Sequence, residues 1–467
     1  MTPADTDDSG RSPLLSGSLL KALASLSIPM LLSGALQEMQ CLIDLYWVGR
    51  LGPHAVAAVS LSGVALFLLS PVPMGLMVGT MALVSRRVGA HQPREAGHVA
   101  AQSLLLAASL GVLASVIGWF LVPQIFPLLG IRATDAVQQG LDPAQIVHEG
   151  TWFLRIMMAG QWQIFILMAC FASLQAAGNA RTPMYCSLAA SIANMILDPL
   201  LIYGIGPFPR LGVPGAALAT MLSQTIVLAA AVRALTSSQR SLTLQPASFR
   251  PDLKLCWRIL AVGLPGSGQI LLRSGMSAVL MRIVAICGPV AVAGYGIGLR
   301  WQMFILMPAF ALGNATATLV GQNLGARQPD RARHSAWLAT GMDVAIMVVF
   351  ALIVFVAAEP LVRCFTNDPA VVAVSANYMR VVSPFNVTVA FGIILGRALN
   401  GAGDSLAPMI ITAISLWGIQ IPAALLLAHA VHPPTLGIWM AIVLGNLANA
   451  LLILWRFRQG TWAKHEV

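Results

Sequence analysis

The sequence predicts an all-α membrane protein with twelve transmembrane helices in two six-helix lobes, related by a pseudo-two-fold axis along the membrane normal. Only 9% of its 467 residues are charged and 57% are hydrophobic, whereas soluble domains are roughly 25% charged. Long apolar runs recur along the whole chain, and the second half repeats features of the first. This composition largely excludes soluble enzymes, nucleic-acid-binding proteins and disordered chains.

Twelve apolar segments are separated by polar breaks that contain Gly and Pro. A membrane crossing takes about 20 apolar residues, and each segment is long enough to supply one. The segments are residues 18–47, 55–85, 97–125, 145–175, 182–204, 214–236, 255–286, 290–321, 333–358, 371–400, 406–430 and 436–457. The first residues carry acids and no basic region before an apolar core, so we expect no cleaved signal peptide.

Basic residues indicate the orientation of these spans. An even number of spans places both termini on one side, and Lys and Arg collect in cytoplasmic loops. Most of the 27 basic residues lie in the termini and in the loops after the even-numbered spans. We therefore expect both termini to be cytoplasmic. The net charge of +10 then reflects topology, and we expect no nucleic-acid partner.

The loop after span 6 is rich in basic residues and divides the chain into halves. This division predicts two lobes with tails and a connecting loop on the cytoplasmic side. The predicted parts are an N-terminal tail 1–17, an N-terminal lobe 18–236, an inter-lobe loop 237–254, a C-terminal lobe 255–458 and a C-terminal tail 459–467.

An internal duplication relates the two predicted lobes. Residues 49–100 align with 285–336 without a gap, and Gly89-Ala90 recurs as Gly325-Ala326. Gly and Pro positions shared between loops do not follow from hydrophobicity alone. A six-span unit repeats in the same orientation, so the copies should be related by an axis along the membrane normal, with a cavity between them. This arrangement is typical of alternating access; a static scaffold is the alternative.

Acidic residues are scarce inside the predicted spans. Apart from Glu149 near the start of span 4, they are Glu38 and Asp44 in span 1, Asp198 in span 5 and Asp343 in span 9. An ionisable residue at membrane depth costs several kcal/mol and marks a candidate functional site. We expect Glu38 to be structural, because it lies on a different helical face from Asp44. We expect Asp343 to balance an arginine of the C-terminal lobe.

Asp44 and Asp198 form the candidate pair for ion coupling. Asn194 lies one helical turn before Asp198, and Thr220 in span 6 adds a hydroxyl. A shift of 236 residues pairs Asp44 with Leu280, and a shift of 225 residues, which relates the later spans of the two halves, pairs Asn194, Asp198 and Thr220 with Ile419, Ala423 and Gly445. Two buried carboxylates cannot both stay ionised without a proton or a cation. The sequence thus predicts an H+ or Na+ site at Asp44, Asn194, Asp198 and Thr220; a structural hydrogen-bonding role is the alternative.

Further residues are candidates for bends and for a substrate cavity. Pro29 and Pro199 each remove a hydrogen bond within their span and predict a helix bend. Polar and polarisable side chains suit a cavity for varied ligands, with core packing as the alternative reading. The candidate cavity residues on this ground are Gln40, Gln161, Gln163 and Met168. No catalytic residues and no cofactor other than the coupling ion are expected, so we do not predict an enzyme.

Three stretches of the sequence resemble the multidrug and toxic compound extrusion (MATE) family. They are residues 44–52, the paired loop motifs 89–90 and 322–326, and residues 194–199. The resemblance implies a secondary active exporter in a bacterial inner membrane, which antiports cationic or amphipathic drugs against inward H+ or Na+. In members with a cation site in the N-terminal lobe, the residues matching the four named above bind the coupling ion. The matches of Pro29 and Gln37 bend span 1 and line the substrate cavity.

Another branch of the family carries acids in spans 7 and 10. This sequence has Gln269 and Arg273 in span 7 and no acid in span 10, which favours the branch with an N-terminal cation site (DinF-type). The resemblance implies small-molecule drugs or organic cations as partners, membrane lipid around the helices, and a monomer. A lipid or lipid-linked oligosaccharide flippase of the same superfamily is the alternative function. A multispan membrane enzyme is a second alternative, for which no catalytic motif is found.

Overall fold

The computed structural model describes residues 13–128, 143–237 and 241–464. These residues form helices joined by short turns, and none of them lies in a β-strand. Residues 1–12 of the predicted N-terminal tail and residues 465–467 of the predicted C-terminal tail lie outside the described residues.

Eleven helices and one bent helix pair among the described residues are long and apolar enough to cross a membrane. We number these spans α1 to α12 in chain order. They are α1 Leu19–Gly49, α2 Pro53–Gly89, α3 Pro93–Leu128, α4 Pro143–Ala159 with Gln161–Ala176, α5 Arg181–Tyr203, α6 Val213–Thr236, α7 Leu253–Ala285, α8 Pro289–Gly325, α9 Pro329–Arg363, α10 Pro369–Gly401, α11 Leu406–Ala430 and α12 Pro434–Arg458. The predicted all-α membrane fold with twelve spans is confirmed.

Proline marks the start of many of these helices. Pro53, Pro289 and Pro329 each occupy a first helical position. Proline is suited to this position because its φ angle is preset and its missing N–H would have no partner there. The helices then satisfy their own backbone groups, which a hydrocarbon environment requires. Large apolar side chains such as Phe120 and Val356 are exposed, as expected for a surface that meets lipid.

Span α4 differs from the single segment that the hydropathy pattern predicts. Its two halves meet at Gly160 with a bend of 44°. A Cβ at Gly160 would overlap the sulfur of Met221 on α6. The side chain of Met221 therefore packs directly on the bend, where a larger residue would displace it. Hydropathy does not reveal the bend, because both halves are apolar.

The described chain forms two compact units. The first, called here the C-terminal unit, comprises the described parts of Met1–Leu31, Met81–His91 and Leu260–Val467. The second, the N-terminal unit, comprises Leu32–Thr80 and Gln92–Ile259. The start of α1 and the end of α2 thus join the C-terminal helices, and the predicted lobe boundaries remain a prediction.

In the C-terminal unit, the duplicated Gly-Ala motifs pack against each other. A Cβ at Gly89, at the end of α2, would overlap the carbonyl oxygen of Gln322 on α8, and a Cβ at Gly325 would overlap the carbonyl oxygen of Arg86. The following residues His91 and Arg327 both adopt a φ of 57°. The repeated sequence motif therefore forms the same turn twice, and each glycine allows the close approach of the partner turn.

The segment between α6 and α7 is held against α3 in the N-terminal unit. The Gln102 amide donates to the carbonyl oxygens of Ser248 at 2.8 Å and Arg250 at 2.6 Å, and its oxygen accepts from the Asp252 N–H at 2.9 Å. Asp252 in turn accepts from the N–H of Leu255 at the start of α7. This bond is the main reason that the pKa of Asp252 lies below its ordinary value. Gln102 thus fixes the connection into α7.

A buried ion pair connects the start of α11 with the end of α12. Arg456 donates through Nη2 to Oδ2 of Asp404 at 2.7 Å and through Nε to the same oxygen at 3.2 Å. The Asp404 side chain is only 5% exposed, so it depends on this partner for charge compensation.

We expect Arg456→Gln to lower the free energy of unfolding by about 3 kcal/mol, because it leaves the carboxylate of Asp404 buried and unpaired. Thermal unfolding of the purified protein in detergent measures the effect. Arg458→Gln is the matched control, since Arg458 is an exposed arginine two residues further along the same helix. Equal melting temperatures for the two variants would contradict the role of the pair.

Candidate coupling-cation site

Asn194 and Asp198 lie one turn apart on α5, and both are 0% exposed. The Asn194 Nδ2 donates to Oδ1 of Asp198 at 3.4 Å. The same Nδ2 lies 3.5 Å from the Oγ1 of Thr220 on α6, and the Thr220 hydroxyl donates to the carbonyl oxygen of Ala216 at 3.0 Å. The Asn194 amide thus donates to Asp198 and Thr220, and the Thr220 hydroxyl donates to its own helix. Asn194 therefore connects α5 to α6.

Asp44 approaches this group from α1. Its side chain is half-buried, and its carboxyl group lies within hydrogen-bonding reach of the carboxyl group of Asp198. An ionised carboxylate has no donor, so a hydrogen bond between two carboxyl groups requires a proton on one of them. The structure thus brings together all four residues predicted for the cation site, from α1, α5 and α6.

Three oxygens of this site are buried and accept no hydrogen bond while both carboxyl groups are ionised. They are Oδ1 of Asp44, Oδ1 of Asn194 and Oδ2 of Asp198. Buried polar atoms are nearly always paired, so a cluster of unpaired acceptors indicates a missing donor or cation. A proton supplies a donor, and Na+ prefers oxygen ligands of this kind. No group of three or more His, Cys, Asp and Glu residues among the described residues is arranged to hold a metal ion.

An apolar layer borders the site toward the ends of α1 and α5. Val48 and Ile202 are buried one turn after Asp44 and Asp198, and they belong to a cluster with Ala216. Beside it, the Tyr203 hydroxyl donates to the carbonyl oxygen of Trp47 at 2.7 Å. This layer ties α1 to α5 and separates the carboxyl groups from that end of the helices.

Ser191 extends the polar face of α5 and was not found from the sequence. Its hydroxyl lies 3.4 Å from the carbonyl oxygen of Leu36 and 3.4 Å from Oε1 of Gln40 on α1. Ser191, Asn194 and Asp198 follow helical spacing, which is the signal that could have identified Ser191. Gln40 therefore contacts α5 directly.

The other predicted cavity residues differ in exposure. Gln37 is exposed and Met168 is half-buried. Gln161 is 5% exposed and donates to the carbonyl oxygen of Met157 in its own helix at 3.3 Å. Gln163 donates to the hydroxyl of Thr225 on α6 at 3.0 Å. The cavity role of these residues stays a prediction.

The α-helical backbone of α1 and α5 continues through Pro29 and Pro199. Proline has no N–H to donate to the carbonyl oxygen four residues earlier. That oxygen belongs to Ser25 for Pro29 and to Met195 for Pro199. The Met195 carbonyl lies one turn before Pro199 and receives no bond from it, so it is a further candidate oxygen near the site. The bends predicted at the two prolines stay predictions.

The expected pairing of Asp343 with an arginine is wrong. Both carboxyl oxygens of Asp343 are buried without a hydrogen-bond partner, and no arginine of the described chain forms an ion pair with it. Arg380, an arginine of the C-terminal lobe, pairs instead with Glu359 at 3.1 Å. Glu38 is exposed on α1, which agrees with its assignment outside the polar cluster.

A bundle of twelve apolar spans with a buried pair of acids defines a multispan membrane transporter. The chain belongs to the MATE family, since the MatE family model matches residues 29–200 and 265–426. The two matched ranges fall in the two halves of the chain and agree with the internal duplication.

Relatives and solved structures match nearly the whole chain. It is 27% identical to "Probable multidrug resistance protein NorM" of Thermotoga maritima, over 96% of this chain and 94% of that protein. It is 28% identical to "FAD transporter" of Shewanella oneidensis, over 89% and 90% respectively. The structure titled "Outward-facing conformation of a multidrug resistance MATE family transporter of the MOP superfamily" aligns with a TM-score of 0.87 and 26% identity, covering 97% of this chain and 98% of that one.

Proposed function

We propose that this protein is a secondary active multidrug exporter of a bacterial inner membrane. It antiports cationic or amphipathic organic compounds against inward H+ or Na+ by alternating access. The observation that carries the proposal is the group of buried, unpaired oxygens on Asp44, Asn194 and Asp198. Relatives named for multidrug resistance, such as the Thermotoga protein, support the drug substrates.

The acid pair suits ion coupling because its charge decides which helix arrangement is stable. With a proton or Na+ bound, the repulsion between the carboxyl groups of Asp44 on α1 and Asp198 on α5 is removed, so the two groups can lie close together. After the cation leaves, two negative charges face each other in a medium of low dielectric constant, and their repulsion favours a different arrangement of the two helices. Substrate that binds better to one arrangement is then exchanged for the cation.

The oxygen ligands of the site suit both H+ and Na+, so the coupling ion is decided by experiment. The purified protein is reconstituted in liposomes that contain ethidium. A pH gradient and a Na+ gradient are then imposed across the liposome membrane in separate experiments. We expect one gradient to drive ethidium movement, with loss of that movement in Asp198→Asn. Movement that is driven by neither gradient, or that continues unchanged in the variant, would contradict the proposal.

The Thr220 hydroxyl provides a milder test of the same site. We expect Thr220→Val to reduce the coupled rate without abolishing it, because Asn194 loses one acceptor while both carboxyl groups remain. Initial rates of gradient-driven ethidium transport measure the effect. Thr236→Val is the matched control, since the Thr236 hydroxyl is exposed and bonds only to carbonyl oxygens of its own helix α6. Equal rates in the two variants would remove Thr220 from the site.

The topology and assembly complete the proposal. Both termini face the cytoplasm, as the distribution of basic residues favours, and the protein acts as a monomer. The cation site belongs to the branch of the family that carries it in the N-terminal lobe. Labelling of single cysteines at the two termini in intact cells tests the orientation, and labelling from outside would contradict it.

A further inference from the structure

Two arginines of the C-terminal unit lie close together without an acid. Arg273 on α7 and Arg397 on α10 are both half-buried. Each stands one turn from an amide, Gln269 or Asn400, and these two amides bond to each other between the helices, so the like charges face each other at neighbouring levels. Within the described parts of the chain, neither guanidinium takes part in an ion pair or a hydrogen bond. The acid of the same unit inside a span, Asp343, has no arginine partner either.

Polar residues one turn away from the two arginines join α7 to α10 and α11. Gln269, one turn before Arg273, receives a hydrogen bond from Nδ2 of Asn400 at 3.4 Å and donates to the hydroxyl of Thr412 at 3.4 Å. Asn400 lies one turn after Arg397. The polar faces of α7 and α10 therefore meet, with an amide pair at one level and the arginine pair at the next.

The packing of α8 and α11 also accommodates the pair. A Cβ at the buried Gly313 of α8 would lie 2.9 Å from Cγ of Arg397, so the glycine leaves room for the arginine stem. On α11, the exposed ring of Trp417 donates to the carbonyl oxygen of Leu272 at 3.0 Å, next to Arg273. Trp417 thus packs on α7 next to the residue that precedes Arg273.

The repulsion between the two arginines has no internal relief. A guanidinium stays protonated in proteins, so it cannot lose its charge as a buried lysine or carboxyl group does. Both side chains are half-exposed, so their N–H groups are accessible to a ligand, and an anion between them would relieve the repulsion. Carboxylates and phosphates match the fork of N–H donors that a guanidinium presents.

We propose that Arg273 and Arg397 form an anion-recognition site for amphiphiles that carry a carboxylate or a phosphate group. The site binds the anionic group between the two guanidiniums and places an aromatic part against Trp417. A role of the arginine site in transport rests on the exporter function proposed above. In that role, the site extends the range of substrates to zwitterionic and anionic compounds. Binding to the site itself does not depend on ion coupling.

Binding to the purified protein in detergent tests the site without transport, so failure here is separate from failure of the exporter function. The probes are fluorescein, an anionic xanthene dye, and pyronin Y, a cationic one, measured by fluorescence polarisation. We expect Arg273→Gln and Arg397→Gln each to weaken fluorescein binding by about tenfold or more, since each removes a hydrogen-bonding partner of a charged group. Pyronin Y binding should stay within a factor of about two, because no charge-assisted bond is lost.

Arg300→Gln is the matched control, since it removes the same charge from an exposed position on α8. Arg273→Lys should retain more fluorescein binding than Arg273→Gln, which separates lost charge from a damaged fold. Fluorescein binding that is equal in the wild type and both glutamine variants, or weakened equally in Arg300→Gln, would overturn the proposal. Equal weakening of pyronin Y and fluorescein would overturn it as well.

Competition identifies the source of the anion. Displacement of fluorescein by a short-chain phosphatidylglycerol, lost in the arginine variants, supports the site with a lipid headgroup as its occupant. Displacement by naphthyl phosphate but not by the lipid supports the site with a soluble amphiphile as its occupant. If neither compound displaces fluorescein, recognition of the anionic group is refuted.

Discussion

Asp198→Asn is expected to abolish gradient-driven efflux of ethidium, to the level of liposomes without protein. The asparagine keeps the size of the side chain and its bond to Asn194, but it cannot release a proton and contributes no charge to hold Na+. The oxygens of Asp44 and Asn194 then face a permanently neutral group. Asp44→Asn should have the same effect, because either change removes the pair of charges that the cation balances.

Proton or Na+ movement during ethidium transport is measured together with the efflux, with a pH-sensitive dye or a Na+-sensitive dye inside the liposomes. Asp343→Asn is the matched control: Asp343 is also a buried acid without a hydrogen-bond partner, but it lies in the C-terminal unit. We expect its efflux to remain coupled. Full coupling in both Asp44→Asn and Asp198→Asn, or loss in Asp343→Asn alone, would show that the coupling site lies elsewhere.

Gly325→Ala and Gly89→Ala are expected to be the most destabilising single-methyl changes in the C-terminal unit. Each new Cβ would overlap a backbone carbonyl oxygen, of Arg86 or of Gln322. A backbone atom cannot move aside as a side chain does, so α2 and α8 must separate. We expect a loss of about 3 kcal/mol in the free energy of unfolding, at the upper end of overpacking penalties.

Thermal unfolding in detergent and the yield of monodisperse protein measure this loss. Gly341→Ala and Gly396→Ala are matched controls in helices of the same unit, because a Cβ at either position meets no atom within 4 Å. Alanine favours helices over glycine, so the controls should be unchanged or more stable. A melting temperature of Gly325→Ala equal to that of Gly341→Ala would show that the two turns do not pack as described.

Much of the fold and of the cation site was predictable from the sequence. Apolar runs of bilayer length located all twelve spans, because a membrane helix must be apolar along its whole length. Asp44 and Asp198 were identifiable because an acid at membrane depth is rare and costly. Helical spacing then placed Asn194 beside Asp198, and a comparison of the two halves showed that the C-terminal half has no counterpart.

Other features were not predictable, for identifiable reasons. The bend at Gly160 lies where Met221 of another helix packs against α4, and hydropathy does not include such contacts. Arg397 stands three residues before the end of the predicted span 371–400, so the sequence does not distinguish it from the basic residues of the cytoplasmic side. Its proximity to Arg273 depends on how α7 and α10 are packed. The pairing expected for Asp343 was wrong because residues on two spans at similar depth need not face each other.

The sequence by itself determined the number of spans, the internal duplication and the scarcity of charge inside the membrane. These follow from composition and spacing along the chain, since each helix satisfies its own backbone and must be apolar to cross lipid. Only the tertiary structure decided which side chains meet. It placed the carboxyl groups of Asp44 and Asp198 together with unpaired oxygens, and it placed Arg273 beside Arg397 without an acid. The reason is that a helix has many faces, and packing between helices selects which of them are opposed.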